Sequence, residues 1–542
     1  MTTVPMTTDV LDAGPERPSS MSRAPIEIPA TTRRRLAPEM PTDRIFGWVS
    51  AIAITILAGV LRLIGLAQPN PASLHGKIFD EVYYATEGND LFTHGVEWNT
   101  TWKSGDFVVH PPLGKWIIGV GEQIFGYNTF GWRIMPLIFG TLSILILIRI
   151  TRRLFRSTIL GCAAGLLMTL DGMEFVLSRT ALLDIFLMFF ILAAFGCIVV
   201  DRDQRRRRWL RAMENGLDPS QPGAAGRLKT SFAESIPWWR LGGAFMAGCA
   251  MSVKWSAIWY IILFVILIFM WEVGARRSAG VRRPWRDTLL DETGWLVAFG
   301  LIIVAVYLAS WTGWFATNDG YDRNWYATTH HGNTLPWGIN ALVNLYQYHH
   351  AALHFHDTLS TPHLYQSWPW QWMLLGRPVA FYYSSAGGCG AASCSAEVLL
   401  LGTPLLWWSF LPAIMGVGAL SITRRDWRAA AIFFGAFAGI ATWFPWELSD
   451  RTMFSFYALP AVPFLIMAVV YLFGMLISGP LKKTPGSNRV FGVERRLFGG
   501  VVLGVYLLVI SACFAYFYPL FVGEKITYAQ WFSRMWLGSR WI

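Results

Sequence analysis

Two carboxylates stand side by side in Ile78-Phe79-Asp80-Glu81-Val82-Tyr83-Tyr84, about a dozen residues after the first long apolar run of the chain. On an open loop such a pair is solvated charge. Close to an apolar boundary a carboxylate loses hydration and becomes more basic. That suits it to accept a proton from a reacting group. The same stretch continues to His110-Pro111-Pro112-Leu113-Gly114-Lys115, where prolines fit the first turn of a following helix. Four cations sit at the ends of other apolar runs: Arg133 after Gly131-Trp132, Arg179 after Leu177-Ser178, Lys254 before Trp255, and Arg451 after Asp450. Asp184 follows Arg179 five residues on. Singly, each cation reads as an anchor that snorkels or pairs with a nearby acid. Together they suit an anionic partner, and a lipid phosphate fits.

The segment 313–396 is crowded with aromatics, among them Trp314, Tyr321, Tyr346, Tyr348, Trp368, Trp370, Trp372, Tyr382 and Tyr383. Part of this is an interfacial belt. Aromatics beside amides and hydroxyls also suit sugars and extended peptides. The same segment holds seven of the ten histidines, including His350, His354 and His356 with one i,i+4 pair that an adventitious metal could use. Cys389 and Cys394 lie in Gly-Gly-Cys-Gly-Ala-Ala-Ser-Cys-Ser-Ala, outside any apolar run, and are candidates for a local disulfide in an oxidising compartment. The other four cysteines lie in apolar runs and read as small core or lipid-facing residues.

The elements that must position these groups follow from composition. Of 542 residues 54% are hydrophobic and 15% charged, against roughly 25% charged in soluble domains. Mean hydropathy is +0.39. A soluble enzyme, a disordered chain and a disulfide scaffold are excluded, and an all-α integral membrane protein remains. Eleven apolar runs of spanning length or near it are expected, at 45–67, 131–150, 157–173, 180–200, 239–253, 255–272, 292–312, 397–421, 429–446, 453–474 and 497–518. Residues 113–126 are apolar but short and read as a helix lying at the interface. Residues 1–43 read as a disordered cytoplasmic tail; no secretory signal precedes the first run, which stays as an anchor.

The net charge is +11, but its distribution speaks for topology rather than for a nucleic-acid partner. With the N-terminus inside, the inner segments hold six, four, nine, five, three and five Lys and Arg, at 1–44, 149–156, 201–240, 276–286, 424–428 and 482–496. Positive charge collects on the cytoplasmic side. The external pieces are then 68–130, 313–396 and the tail 519–542, flanking an N-terminal membrane module at 44–312 and C-terminal membrane helices at 397–518. Every histidine falls in the first two external pieces, so chemistry is expected outside.

The ordered set of Phe-Asp-Glu, His-Pro-Pro-Leu-Gly-Lys, Gly-Trp-Arg, Ser-Arg-x-x-Leu-Leu-Asp and Ser-Val-Lys-Trp at this topology resembles the actinobacterial protein O-mannosyltransferases over about residues 45–540. The resemblance implies the glycosyltransferase C fold. It implies inverting transfer of mannose from polyprenyl-phosphate mannose to Ser or Thr of secreted polypeptides, with export-coupled transfer left open, at the outer face of the plasma membrane. It implies Asp80 as general base with Glu81 in support. Arg133, Arg179, Lys254 and Arg451 would bind the donor phosphate and lipid, with His110, Pro111, Asp184, Trp255 and Tyr457 supporting. No certain cofactor is implied; a divalent cation near Asp80 is left open, since some relatives with the fold hold one. Two departures stand out. No His precedes the late Tyr in Arg451-Thr-Met-Phe-Ser-Phe-Tyr457, and Gly402-Thr403-Pro404 replaces the family's Gly-Asn-Pro. The 313–396 loop leaves no room for the lectin-like modules of eukaryotic members. The other readings are a transferase acting on a glycolipid or polysaccharide acceptor, and a multi-pass transporter. Against the latter stand the lack of an internal repeat and the position of both acids outside the spans.

Overall fold

A computed structural model describes residues 27–223, 236–448, 450–477, 482–483, 490–491 and 493–542. Among these, nine helices are long and apolar enough to cross a membrane. Those that carry or brace the site are α2 (Arg44–Leu63), α5 (Thr129–Phe155), α8 (Asp184–Glu214), α10 (Ala257–Ala279), α11 (Pro284–Ser310) and α13 (Pro404–Thr423). Two of the eleven expected spans are shorter than a full crossing: α6 (Thr158–Thr169) and α9 (Trp238–Met251), with 12 and 14 residues.

Each short helix has a physical reason. The run that begins with α6 breaks at Leu170-Asp171 and resumes as α7 (Gly172–Leu177), because Asp171 caps the Glu174 N–H at 2.9 Å. The exposed backbone of the break is satisfied inside the protein. Thr403 donates to the Leu170 carbonyl at 2.6 Å and accepts from Gly172 N at 3.1 Å. Gly402 is needed beside it, since a Cβ there would meet the Trp407 indole at 2.0 Å. α9 is held at both ends against α8. At one end Arg240 bonds Asp201 at 2.9 Å. At the other, Lys254, three residues past α9, bonds Asp184 at 2.8 Å. Asp184 and Asp201 are about 25 Å apart along α8 at the helical rise, and the fourteen residues of α9, about 21 Å, bridge that depth with the reach of the Arg240 and Lys254 side chains.

The Arg240 end is one buried ion network. Arg240 also reaches Glu272 at 2.9 Å and Glu292 at 2.6 Å, and Arg276 reaches Glu292 at 3.0 Å. Several cations counted as plain loop charge in the sequence thus tie α8, α9, α10 and α11 together. The tail expectation also changes. Residues 1–26 lie outside the described residues, but Ala30–Leu36 form a helix, α1. Its Leu36 is buried against Trp209, Leu210, Met213, Ala275 and Ala279.

The segment after the first span folds as α3 (Glu81–His94) and α4 (Leu113–Phe125), the latter over the residues expected to form a short helix. They cross so closely that a Cβ on Gly119 would lie 2.4 Å from the Gly88 carbonyl. The segment 313–396 carries α12 (Trp337–Thr358) and the hairpin β1 (Val379–Ser384) and β2 (Cys394–Leu400). Cys389 and Cys394 are disulfide-bonded across its turn, with Cα atoms 5.8 Å apart. The chain end, after the last long apolar helix α14 (Val493–Val522), returns as β3 (Ile526–Thr527) on the other edge of β2. Trp531 then donates to Glu397 at 2.6 Å, so residues after 522 are folded onto the sheet rather than a loose tail. The expectation of an all-α fold with a span beginning at 397 misses this sheet. The end of β2, Val398-Leu399-Leu400, runs almost directly into the apolar helix α13 at Pro404, so in the sequence those residues read as the start of a span rather than as a strand.

Candidate active site

Asp80 precedes the first residue of α3, and Phe79 before it holds a left-handed φ of 46°, a conformation that a bulky residue keeps only when its surroundings impose it. Here the Phe79 ring stacks on Phe381 of β1 at 4.5 Å and meets Phe456 edge-on at 6.0 Å. That turn presents Asp80 while sending Glu81 inward. Among the described residues the Asp80 carboxylate has no hydrogen-bond partner. Burial pushes its pKa up to about 6; Lys254 pulls against this, while Asp184 and Glu87 push with it.

Glu81 is not a second open carboxylate. It is fully buried and forms a two-pronged pair with Arg133, Nε to Oε1 at 2.7 Å and Nη2 to Oε2 at 2.8 Å. It also accepts from Ile78 N at 2.9 Å and from Ala181 N at 3.1 Å. Arg133 spends its other donors on the carbonyls of Leu66 and Pro69, at 3.2 and 3.1 Å. The pair therefore pins the Asp80 loop to the turn before α8. Arg179 is likewise committed. It donates to the carbonyls of Arg62, Ile64 and Gly65 at 2.5, 2.7 and 2.9 Å and caps the end of α2. Arg133 and Arg179, expected at the donor phosphate, are both buried and held by protein groups here: Arg133 through all three of its nitrogens, Arg179 through both Nη atoms.

The remaining site residues do converge. A cavity of about 320 Å³ is lined by His110, Asp184, Lys254, Trp255, Arg451 and Tyr457, with His356, Trp443 and Trp446. The Lys254 ammonium is 2.8 Å from Asp184 and lies over the Phe456 and Tyr457 rings at 5.7 and 5.5 Å. Phe456 is also the ring that Phe79 meets, so Asp80 stands beside this cation. Arg451 lies over Trp446 at 5.3 Å and donates to the His356 carbonyl and, at 3.1 Å, to His356 Nδ1. Pro111 does not line the cavity. It is buried at the entry to α4, whose Leu113 N–H bonds the Ser252 carbonyl at 3.1 Å and so docks that helix beside Lys254.

Sequence reasoning placed His356 only among metal candidates. In the structure its Nδ1 accepts from Arg451, so Nε2 carries the proton and donates to the Val109 carbonyl at 3.2 Å. Burial first and Arg451 second lower its pKa to about 4, so it is a neutral acceptor. Burial, then Lys254, likewise holds His110 well below the usual imidazole range. His349 orients Trp255 through Tyr307, the indole N–H reaching the Tyr307 hydroxyl at 2.9 Å and that hydroxyl reaching His349 Nε2 at 2.5 Å. His349 and His356 are seven residues apart on α12, two turns on one face. That spacing was the available signal.

A divalent cation beside Asp80 does not suit this donor set. Both Glu81 oxygens are bound to Arg133 and backbone N–H groups, and Asp184 is bound to Lys254. Among the described residues no three His, Cys, Asp or Glu side chains converge as ligands, and His350, His354 and His356 do not do so.

The whole fold superposes on the Saccharomyces cerevisiae protein O-mannosyltransferase Pmt1-Pmt2 complex bound to the sugar donor. The TM-score is 0.68 at 14% identity, over 95% of this chain and 94% of that one. A helical membrane bundle of this topology is the glycosyltransferase C fold. The family model for dolichyl-phosphate-mannose-protein mannosyltransferase matches residues 52–217, and that for the C-terminal four TMM region of protein-O-mannosyltransferase matches 341–541. The polyprenol-phosphate-mannose--protein mannosyltransferase of Mycobacterium tuberculosis is 38% identical over 92% of this chain and 93% of its own length. The Corynebacterium glutamicum protein of that name is 33% identical over 93% and 95%. The chain belongs to the protein O-mannosyltransferase family.

Proposed function

We propose that this chain transfers mannose from a polyprenyl-phosphate mannose to Ser or Thr hydroxyls of polypeptides at the outer face of the plasma membrane, with inversion. The observation that carries the reading is the Asp80 carboxylate, without a hydrogen-bond partner among the described residues, beside a cavity whose cations are Lys254 and Arg451. The acceptor hydroxyl oxygen attacks the anomeric carbon as its proton passes to Asp80, and the bond from that carbon to the phosphate oxygen breaks. A neutral hydroxyl needs such a base within hydrogen-bond reach. A β-linked donor gives an α-mannoside, and no second carboxylate acts as nucleophile. The departing phosphate gains negative charge, which Lys254 and Arg451 stabilise more in the transition state than in the ground state.

The cavity suits a lipid-borne donor. Its wall includes Ile258 and Trp259, 40% and 42% exposed, and Leu353 of α12, 47% exposed. An isoprenoid chain would pass over these apolar side chains into the bilayer while the phosphate rests near Lys254. The basic segments support a cytoplasmic N-terminus, the orientation in which Asp80 faces out.

The test is a membrane preparation supplied with radiolabelled polyprenyl-phosphate mannose and a Ser/Thr/Pro-rich peptide. Label in the peptide that is released as mannose by an α-mannosidase supports the reading. Label confined to glycolipid would instead assign a lipid or polysaccharide acceptor.

A further inference from the structure

A second cavity, of about 580 Å³, lies at the far end of α5 from Arg133. Five arginines line it, Arg44, Arg149, Arg152, Arg153 and Arg207, together with Trp48 and a single acid, Glu39. Arg152 is paired with Asp43 at 2.7 Å and Arg153 with Asp203 at 3.0 Å. Among the described residues Arg44, Arg149 and Arg207 have no carboxylate within 4.0 Å. Three uncompensated guanidiniums around one hollow repel one another unless an anion enters.

The local structure draws two of the arginines in. Gly47 of α2 leaves bare backbone, and a Cβ there would lie 2.7 Å from Arg152 Nε. Arg149 donates to the Gly47 carbonyl at 3.3 Å and lies over the Trp48 ring at 3.7 Å. A tryptophan under an arginine marks the headgroup depth of a bilayer. From that point the outer face of α2 continues as exposed Ile45, Phe46, Val49 and Ile52, a surface for acyl chains rather than for water.

We propose that this cavity is a binding site for the phosphate headgroup of an anionic phospholipid, in the leaflet that meets the arginine-rich loops. Basic pockets between membrane helices take such headgroups. With three guanidiniums free of carboxylates, a headgroup bearing two phosphates fills the site better than one bearing a single charge. The site is separate from the Asp80 cavity, and it stands whether or not the proposed transfer reaction is correct.

Native mass spectrometry of the full chain in mixed micelles tests this, with cardiolipin, phosphatidylglycerol or phosphatidylcholine as the probe. Retention should follow that order. Each basic residue near an anionic lipid is worth about fivefold in binding, so Arg149→Gln with Arg207→Gln should weaken cardiolipin retention by about 25-fold. Phosphatidylcholine retention and mannosyl transfer should not change. If the double variant does not fold, Arg207→Gln alone should lose about fivefold. Equal retention of cardiolipin and phosphatidylcholine, or a variant that holds cardiolipin like the parent, overturns the proposal. Displacement of the lipid by millimolar inorganic phosphate would assign the cavity to free phosphate and overturn it also.

Discussion

Asp80→Asn isolates the proton-accepting step. The substitution keeps shape and removes one charge from a side chain that has no hydrogen-bond partner among the described residues, so the fold loses no bond. Donor affinity should stay within about threefold, because the cations that face the cavity are untouched. Turnover should fall on the order of 10²–10⁴, the usual contribution of a positioned base. The pH dependence is sharper still. With a pKa of about 6, the reactive carboxylate is about one-tenth populated at pH 5 and about nine-tenths at pH 7, so the parent should gain about tenfold in kcat/KM across that interval. The sign follows from the raised value: protonation on the acid side removes the base, so activity is lost as pH falls through 6. Single-turnover transfer to a Ser/Thr peptide at saturating donor, measured from pH 5 to 8, reads both effects. A variant with turnover near the parent's, or a parent profile flat across pH 6, would refute Asp80 as the base.

The Glu81–Arg133 pair should behave as a brace. Arg133→Met leaves Glu81 buried and unpaired and should cost about 3–5 kcal/mol, seen as a lower thermal midpoint in detergent; a variant with unchanged midpoint but weakened donor affinity would restore Arg133 to the donor site. Arg451→Ala should cut kcat by about 10²–10³, as loss of one transition-state charge donor does, and Arg451→Lys should recover part of it; full activity of Arg451→Ala would remove it from phosphate stabilisation. Transfer should continue in excess chelator, because the carboxylates around Asp80 are held by cations: Glu81 by Arg133, Asp184 by Lys254 and Glu87 by Lys115. Activity lost to chelator and restored by a divalent ion would show that another donor set forms on substrate binding.

Much of this protein is local information. Hydropathy is a property of consecutive residues, so the order of the apolar helices and the short helix at 113–125 could be read directly. Asp80, Lys254 and Arg451 were also legible, since a carboxylate or cation beside an apolar run is visible without its neighbours. Partnership is not local. Glu81 and Arg133 are 52 residues apart in sequence, and only the folded chain shows that they satisfy each other instead of a substrate. Arg179 looked equivalent to Lys254 until the carbonyl end of α2 was found to occupy it. His356 entered the site because α12 lays one face over Trp255 and Arg451, and β2 escaped detection because its apolar end, Val398-Leu399-Leu400, merges in the sequence with the apolar run of α13. The sequence by itself determined which groups could carry charge near the membrane. The tertiary structure decided which of those charges are committed to the scaffold, because in a low-dielectric interior a buried ion persists only with a partner in place; those left for chemistry are Asp80 and the cations whose partners themselves line the cavity, Lys254 with Asp184 and Arg451 with His356.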